Sequence, residues 1–246
     1  MAKFGDYAVG DIVKLNVNGV AIDFIIVNQG LPSSDYDSSC DGTWLLMKDI
    51  YEERAWCATS PTNSYQYSDI HKYLEGDFLS LFDSDIQNAI KEVKLPRKLV
   101  ESSQYIDYTL TAKIFLLSIT ETDYIGTNPE GAALQYFDSM GDARRIAQYN
   151  GTDSSWWTAS IGGDTLGARA ITRLGRGGSF EQTRVYGIRP ALILPSYFEL
   201  PSNFNGKATI GGVQRDLTAA HVNIGGAWKE LSNTYMNIGG TWKSMN

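Results

Sequence analysis

From Ile12 to Val17 apolar and polar residues alternate, with Val13, Leu15 and Val17 on one side, and Ala21 to Val27 is a denser apolar run. Asn18-Gly19 stands between them, and that dipeptide favours the tight turn of a two-stranded hairpin. Thr43 to Met47 predicts a short buried strand. The period then changes. Ile70, Tyr73, Leu74, Phe78 and Leu81 recur mostly three and four apart, which is the spacing of one helix face, with Ser68 as N-cap and Gly76 as a point where the run can divide. A second helix is expected from Ser84, with Gln87 completing a capping box, running through Ile86, Ala89, Ile90 and Val93 and stopping before Pro96. Lys113 to Ile119 predicts a strand, and Gly131 to Tyr149 a short helix. Trp156 to Ser160, Ala168 to Ile171 and Ile188 to Leu194 read as late strands separated by Gly-rich turns. Strands, then helices, then strands predict an α+β domain rather than a βαβ repeat.

The last segment has a different grammar. Ile210-Gly211-Gly212-Val213, Ile224-Gly225-Gly226-Ala227-Trp228-Lys229 and Ile238-Gly239-Gly240-Thr241-Trp242-Lys243 align at a period of 14 residues. Apolar–Gly-Gly–apolar predicts a hairpin in each copy. Single hairpins are marginal in water, so the three must pack on each other, on the main domain or on other chains. The chain therefore divides into a domain at 1–200 and a β-hairpin repeat tail at 201–246, with Pro201 to Gly206 as linker. Trp228, Tyr235 and Trp242 are the candidates for oligomer contact or attachment.

Composition narrows the classes. The 246 residues are 43% hydrophobic and 20% charged, which fits a folded globular chain. No apolar run is long enough to span a membrane, and residues 1–6 show no secretory leader, so neither membrane insertion nor export is expected. The formal charge of −7 argues against nucleic acid as partner. Residues 1–200 carry 17 Lys and Arg against 26 Asp and Glu, and the tail 4 against 2. Residues 161–190 go the other way, with Arg169, Arg173, Arg176, Arg184 and Arg189 against Asp164 and Glu181. Such a stretch is either a set of solvated loop arginines or a face that meets carboxylates, phosphates or acidic sugars.

Catalytic patterns are sparse. Cys40 and Cys57 form no CxxC, and with His71 and His221 the only histidines, no local zinc set exists. A Cys40–Cys57 disulfide is compatible with the sequence but not given by the spacing, and with no export signal free or buried thiols are the expectation. No G-x-S-x-G elbow, P-loop or dinucleotide loop occurs, and His71, on a predicted helix, reads as a packing residue. Asp35, Asp37 and Asp41 resemble a calcium loop only superficially. Their third carboxylate falls at position 7 where an EF-hand needs position 5, so turn support is expected, with a single calcium ion as the alternative. Trp156-Trp157, Tyr149, Phe180 and Tyr186 bracket the Arg-rich stretch. Aromatics beside arginine suit carbohydrate or protein binding, while a double Trp on a strand is expected to place one ring inside and one outside.

Five segments in order carry a resemblance: Asp41 to Met47, Ser68 to Leu74, Lys113 to Ser118, Ser155 to Ser160 and Gly187 to Leu192. Over roughly residues 9–195 they resemble a domain of unassigned function common in bacteriophages of Gram-positive bacteria and their prophages. The W-W-T-x-S and G-I-R-P-A strands look like the C-type-lectin fold in its formylglycine-generating-enzyme-like branch. The tail repeats look like those that end many phage tail-fibre, baseplate and other virion-surface proteins. Ala159 stands where arginine is common in the family, so no role of that arginine carries over. Cys40 and Cys57 lie outside the copper-binding motif of the enzyme branch, so enzymatic activity does not carry over either.

The resemblance implies a C-type-lectin-like domain with two main helices, in a non-enzymatic virion protein made in the host cytoplasm. Its expected partners are a host-surface glycan or protein, other virion subunits and further copies of itself, a trimer being favoured. Trp157, Arg169, Arg173, Arg176, Phe180, Arg184 and Tyr186 are the expected ligand-binding residues, while Arg189, inside an apolar strand, is expected to bond internally. The alternative is a purely structural role in capsid decoration or tail assembly.

Overall fold

The structure, a computed structural model, describes residues 3–124, 128–162 and 167–199, and six strands of the C-terminal segment. The chain divides into two compact units, Ala2–Phe198 and Glu199–Asn246.

Among its described residues the first unit has fourteen strands: β1 (Ile12–Val17), β2 (Val20–Gln29), β3 (Thr43–Met47), β4 (Glu52–Ala55), β5 (Val93–Glu101), β6 (Gln104–Ala112), β7 (Ile114–Phe115), β8 (Ala147–Tyr149), β9 (Thr152–Ser154), β10 (Trp156–Ile161), β11 (Gly167–Ile171), β12 (Gly177–Glu181), β13 (Val185–Ile188) and β14 (Ala191–Leu194). Two five-stranded sheets form, in the orders β1-β2-β3-β14-β7 and β12-β11-β10-β13-β4, and β5–β6 and β8–β9 are separate hairpins. Every pairing is antiparallel except β10 with β13. With its short helices the unit is α+β and mostly antiparallel.

The chain passes directly from one sheet to the other twice, through Lys48–Tyr51 from β3 to β4 and through Arg189-Pro190 from β13 to β14. Arg189, 1% exposed, ties these crossings together. Its Nε donates to the Met47 carbonyl and its Nη2 to the Lys48 carbonyl, both at 2.8 Å. Its guanidinium carbon lies 5.1 Å from the centroid of the Trp156 ring. Burial among carbonyls pulls the Arg189 pKa down to about 10.

Helix α1 (Asp69–Tyr73) starts where the cap predicts, with Ser68 Oγ accepting the His71 N–H at 3.0 Å. The run does not split at Gly76. It continues as one π turn over Leu74–Phe78 and a 3₁₀ turn over Leu79–Leu81. Asp83 rather than Ser84 stands at the N-cap position of helix α2 (Ser84–Ala89), and its side chain makes no capping hydrogen bond. Gln87 donates to the Phe82 carbonyl at 2.6 Å instead of closing a capping box.

Three expectations need correction. Helix α2 ends at Ala89, and the expected helical continuation through Val93 is strand β5, which carries Pro96 because β5 pairs on one side only. The helix expected within 131–149 is a set of turns, one 3₁₀ turn (Asp142–Arg145) and β8. Ser139 and Gly141, at φ +57° and +70°, break any helical run there. The strand expected at 113–119 is reduced to Ile114–Phe115.

The described residues of the second unit pair as three hairpins: β15 (Gly206–Ile210) with β16 (Val213–Leu217), β17 (His221–Ile224) with β18 (Ala227–Glu230), and β19 (Tyr235–Ile238) with β20 (Thr241–Ser244). Ile210 pairs with Val213, Ile224 with Ala227 and Ile238 with Thr241, the two-residue register that the Gly-Gly repeats predict. Trp228, Tyr235 and Trp242 lie on β18, β19 and β20, and their side chains fall outside the described residues. So does the linker, apart from Gly206.

Candidate functional site

The late strands build one surface from residues far apart in sequence. Trp157 pairs with Ala170, Ala170 with Gly178, and Ala168 with Phe180, so these share one face of the second sheet. Trp156 pairs with Gly187 on the opposite face, so Tyr186 lies on Trp157's face, directly across from Arg54 of β4. Small residues let the aromatics converge. A Cβ on Gly178 would fall 2.7 Å from the Phe180 ring, so Phe180 folds across it. The Phe180 ring meets the Tyr186 ring edge-on at 5.2 Å, and the Tyr186 ring lies 4.9 Å from Trp157.

Trp157 is therefore not an exposed stacking surface. It is 0% exposed, and its Nε1 donates to the Arg54 carbonyl at 2.9 Å. Trp156 is equally buried, against Ile50, Ile119, Ala147 and Ile171. The one-in, one-out expectation fails because Phe180 and Tyr186 roof the outer ring.

The row continues past Tyr186. The guanidinium of Arg54 lies 3.5 Å from the centroid of the Tyr73 ring on α1, and its Nε donates to Glu52 at 2.5 Å. Burial, and the Glu52 carboxylate beside it, push the Tyr73 phenol well above its usual range. Phe180, Tyr186, Arg54, Glu52 and Tyr73 are all half-buried, so each keeps an exposed part on a fixed support. Glu52, Arg54 and Tyr73 were not among the expected site residues. Their only sequence signal is that Glu52 and Arg54, two apart, share one face of any strand; nothing local shows that β4 pairs with β13.

The arginines do not converge. Arg169 alternates onto the opposite face, across from Ser179. Arg173 and Arg176 are at the β11–β12 turn and Arg184 at the β12–β13 turn, the two ends of β12, about 16 Å apart along the strand. Arg176 Nε lies 3.4 Å from Asp142, whose carboxyl Arg145 and Arg176 hold below its usual range. Of the expected set, Phe180 and Tyr186 share the exposed face and Arg184 borders it.

Other chemistry-bearing groups are engaged in the framework. Asp37 caps the Ser39 N–H at 2.9 Å, and Asp35 accepts from Ser33 at 3.4 Å. Both line a pocket of about 510 Å³ with Lys94, which Asp41 does not line. Among the described residues no group of three or more His, Cys, Asp or Glu side chains is arranged to hold a metal ion. Cys40 and Cys57 are free and buried, burial pushing the Cys40 thiol up to about 11 and Cys57 upward as well. His71 packs 5.1 Å from Tyr65, and burial pulls its pKa down to about 4.

A polar cluster lies inside the first unit. Arg97 forks onto Glu121 at 3.0 and 3.1 Å, and Tyr36 donates to Glu121 at 2.9 Å. Glu130, 3% exposed, accepts the Lys98 N–H at 2.8 Å and is bonded to Ser160. Burial raises the Glu130 pKa to about 7 despite the nearby Arg97 charge.

Residues 41–196 match the family described as a domain of unknown function (DUF6273), and the chain belongs to that family. No curated protein and no solved structure matches it. No helix among the described residues is long and apolar enough to cross a membrane.

Proposed function

We propose that the first unit is a non-catalytic recognition module of a bacteriophage virion protein, in a tail fibre, baseplate or other surface assembly, with a C-type-lectin-like fold. One observation carries the recognition role: the row Phe180–Tyr186–Arg54–Tyr73, half exposed and held on four different elements, is a preformed contact surface. Aromatic and arginine side chains with little freedom left to lose are the groups that dominate binding energy. The virion setting rests on the resemblance of the five ordered segments and the tail repeats. The groups that would serve as base or nucleophile favour binding over catalysis. His71 is held neutral by burial, the thiols are buried with raised pKa values, and Glu121 is committed to Arg97.

The tail supports a structural reading alongside. Three separate two-stranded hairpins each lie below the size that is stable alone, so they need partners, and homo-oligomerisation, as a trimer, or attachment to other virion subunits supplies them.

The two readings separate in one experiment. Fluorescently labelled full chain and a form ending at Leu200 are titrated onto intact Gram-positive cells, with light scattering on the same samples. Saturable binding retained per module by the shorter form, together with a fall in oligomer size, is the expected result. Absence of binding by either form, with only the oligomer lost, would leave the purely structural reading.

A further inference from the structure

We propose that the row on the second sheet reads an electrically neutral polysaccharide, sugar rings lying on Tyr186 and Phe180 while neighbouring hydroxyls bridge Glu52 and Arg54. This rests on the recognition reading above and names its ligand class. A sugar offers an apolar C–H face and a rim of hydroxyls that both donate and accept. The row offers the complement in the same order, two half-exposed aromatic rings and then a paired donor and acceptor.

The charge state of that pair selects among ligands. Arg54 Nε is already bound to Glu52 at 2.5 Å, and the guanidinium is stacked on Tyr73. Its charge is therefore matched, so the pair itself adds no spare cation for a phosphate or carboxylate. Its terminal N–H groups still have donor capacity, and the Glu52 carboxylate, which also takes the Tyr73 hydroxyl, keeps acceptor lone pairs. A pair of adjacent hydroxyls can accept from the first and donate to the second without either partner losing its ion pair. The row's own carboxylate, Glu52, further disfavours a polyanion. The chain's −7 charge acts in the same direction.

Support for the rings is built in. Tyr186 rests on buried Trp157, and Phe180 folds across Gly178, so neither ring needs to be ordered on binding. Single contacts of this kind are weak, and repeated sugar units meeting several copies of the chain would supply avidity.

The test uses the full chain on immobilised neutral polysaccharides (a glucan, a galactan and a rhamnan) and on an anionic one, teichoic acid, together with intact Gram-positive cells pretreated with periodate or with protease. Binding to a neutral polymer, insensitive to salt, and loss of cell binding after periodate but not protease, are expected. Tyr186→Ala and Glu52→Gln should each weaken binding about tenfold or more. Arg173→Ala/Arg176→Ala should bind as the parent does. Glu52→Gln keeps the side chain's shape on an edge strand, so its loss of affinity is read on a folded protein. Binding confined to teichoic acid and falling with salt would overturn the neutral-sugar assignment and leave recognition standing. Binding abolished by protease alone would do the same in favour of a protein partner. Binding to none of these surfaces would overturn both.

Discussion

Arg189 and Glu130 are both buried ionisable residues, and they face different consequences. Arg189 donates to two carbonyls, at Met47 and Lys48, on the segment that carries the chain from one sheet to the other. Arg189→Met leaves those carbonyls buried without donors and should cost about 2 to 4 kcal/mol in denaturant unfolding. A loss below about 0.5 kcal/mol, in the range of ordinary surface changes, would show that the tie is dispensable. Glu130 sits beside one guanidinium already claimed by Glu121, so only the Lys98 N–H and Ser160 receive it. Its folded pKa, about 7, lies above its ordinary 4.5, so the folded state holds the proton more tightly. The resulting stability is full below pH 4.5, falls as pH rises toward 7 and is flat above it. In Glu130→Gln the uncharged amide stands in for the protonated carboxyl, and its oxygen can still accept the Lys98 N–H. That variant should lose this fall when unfolding midpoints are compared across the same pH range; an unchanged profile would mean that Glu130 is ionised throughout. Neither residue's place was evident locally. Arg189 was expected to bond internally only because it interrupts an apolar strand, and Glu130 carries no local signal at all.

Turns decided which elements could be read from the chain. Asn18-Gly19, at φ 53° and 76°, marks its hairpin, because that dipeptide adopts the positive φ that a tight turn needs, and the Gly-Gly pairs carry the same signal in the sequence. The β5–β6 hairpin escaped notice for two physical reasons. Its turn is Ser102-Ser103, both at positive φ (49° and 63°) without glycine or asparagine. Its inward positions run Val93, Leu95, Arg97, and a buried arginine reads as a break in the alternation. At the β11–β12 turn the chemistry is strict. Gly175 has φ +77°, and a Cβ there would fall 2.0 Å from the Asp142 carbonyl oxygen. Gly175→Ala should therefore destabilise by about 2 kcal/mol or more, read as a lower thermal midpoint. The same reasoning applies on the recognition face. Gly178→Ala should push Phe180 off its neighbours and weaken ligand binding with little change in stability, whereas unchanged binding would detach Phe180 from the site.

At the scale of the molecule, the α+β class and the repeat tail were legible, and the candidate site only in part. Phe180 and Tyr186 were expected on the site and lie on one exposed face. Trp157 lies beneath them, Arg169 is on the other face, and Glu52, Arg54 and Tyr73 arrive through pairings that no local pattern encodes. Division into the units Ala2–Phe198 and Glu199–Asn246 predicts that a chain ending at Leu200 unfolds in a single cooperative transition close to the parent's midpoint. Loss of that transition would make the tail part of the first unit's fold.

The central claim is that one face of the second sheet is where this chain meets its partner. The most direct measurement is a set of binding isotherms on intact cells for the parent, Phe180→Ala, Tyr186→Ala and Arg173→Ala/Arg176→Ala, each variant first shown to keep a cooperative thermal transition. The account predicts a loss of about tenfold or more for the two aromatic variants and parent-like binding for the arginine pair. Parent-like binding by both aromatic variants, with loss in the arginine pair, would contradict it and move the site to the β11–β12 turn.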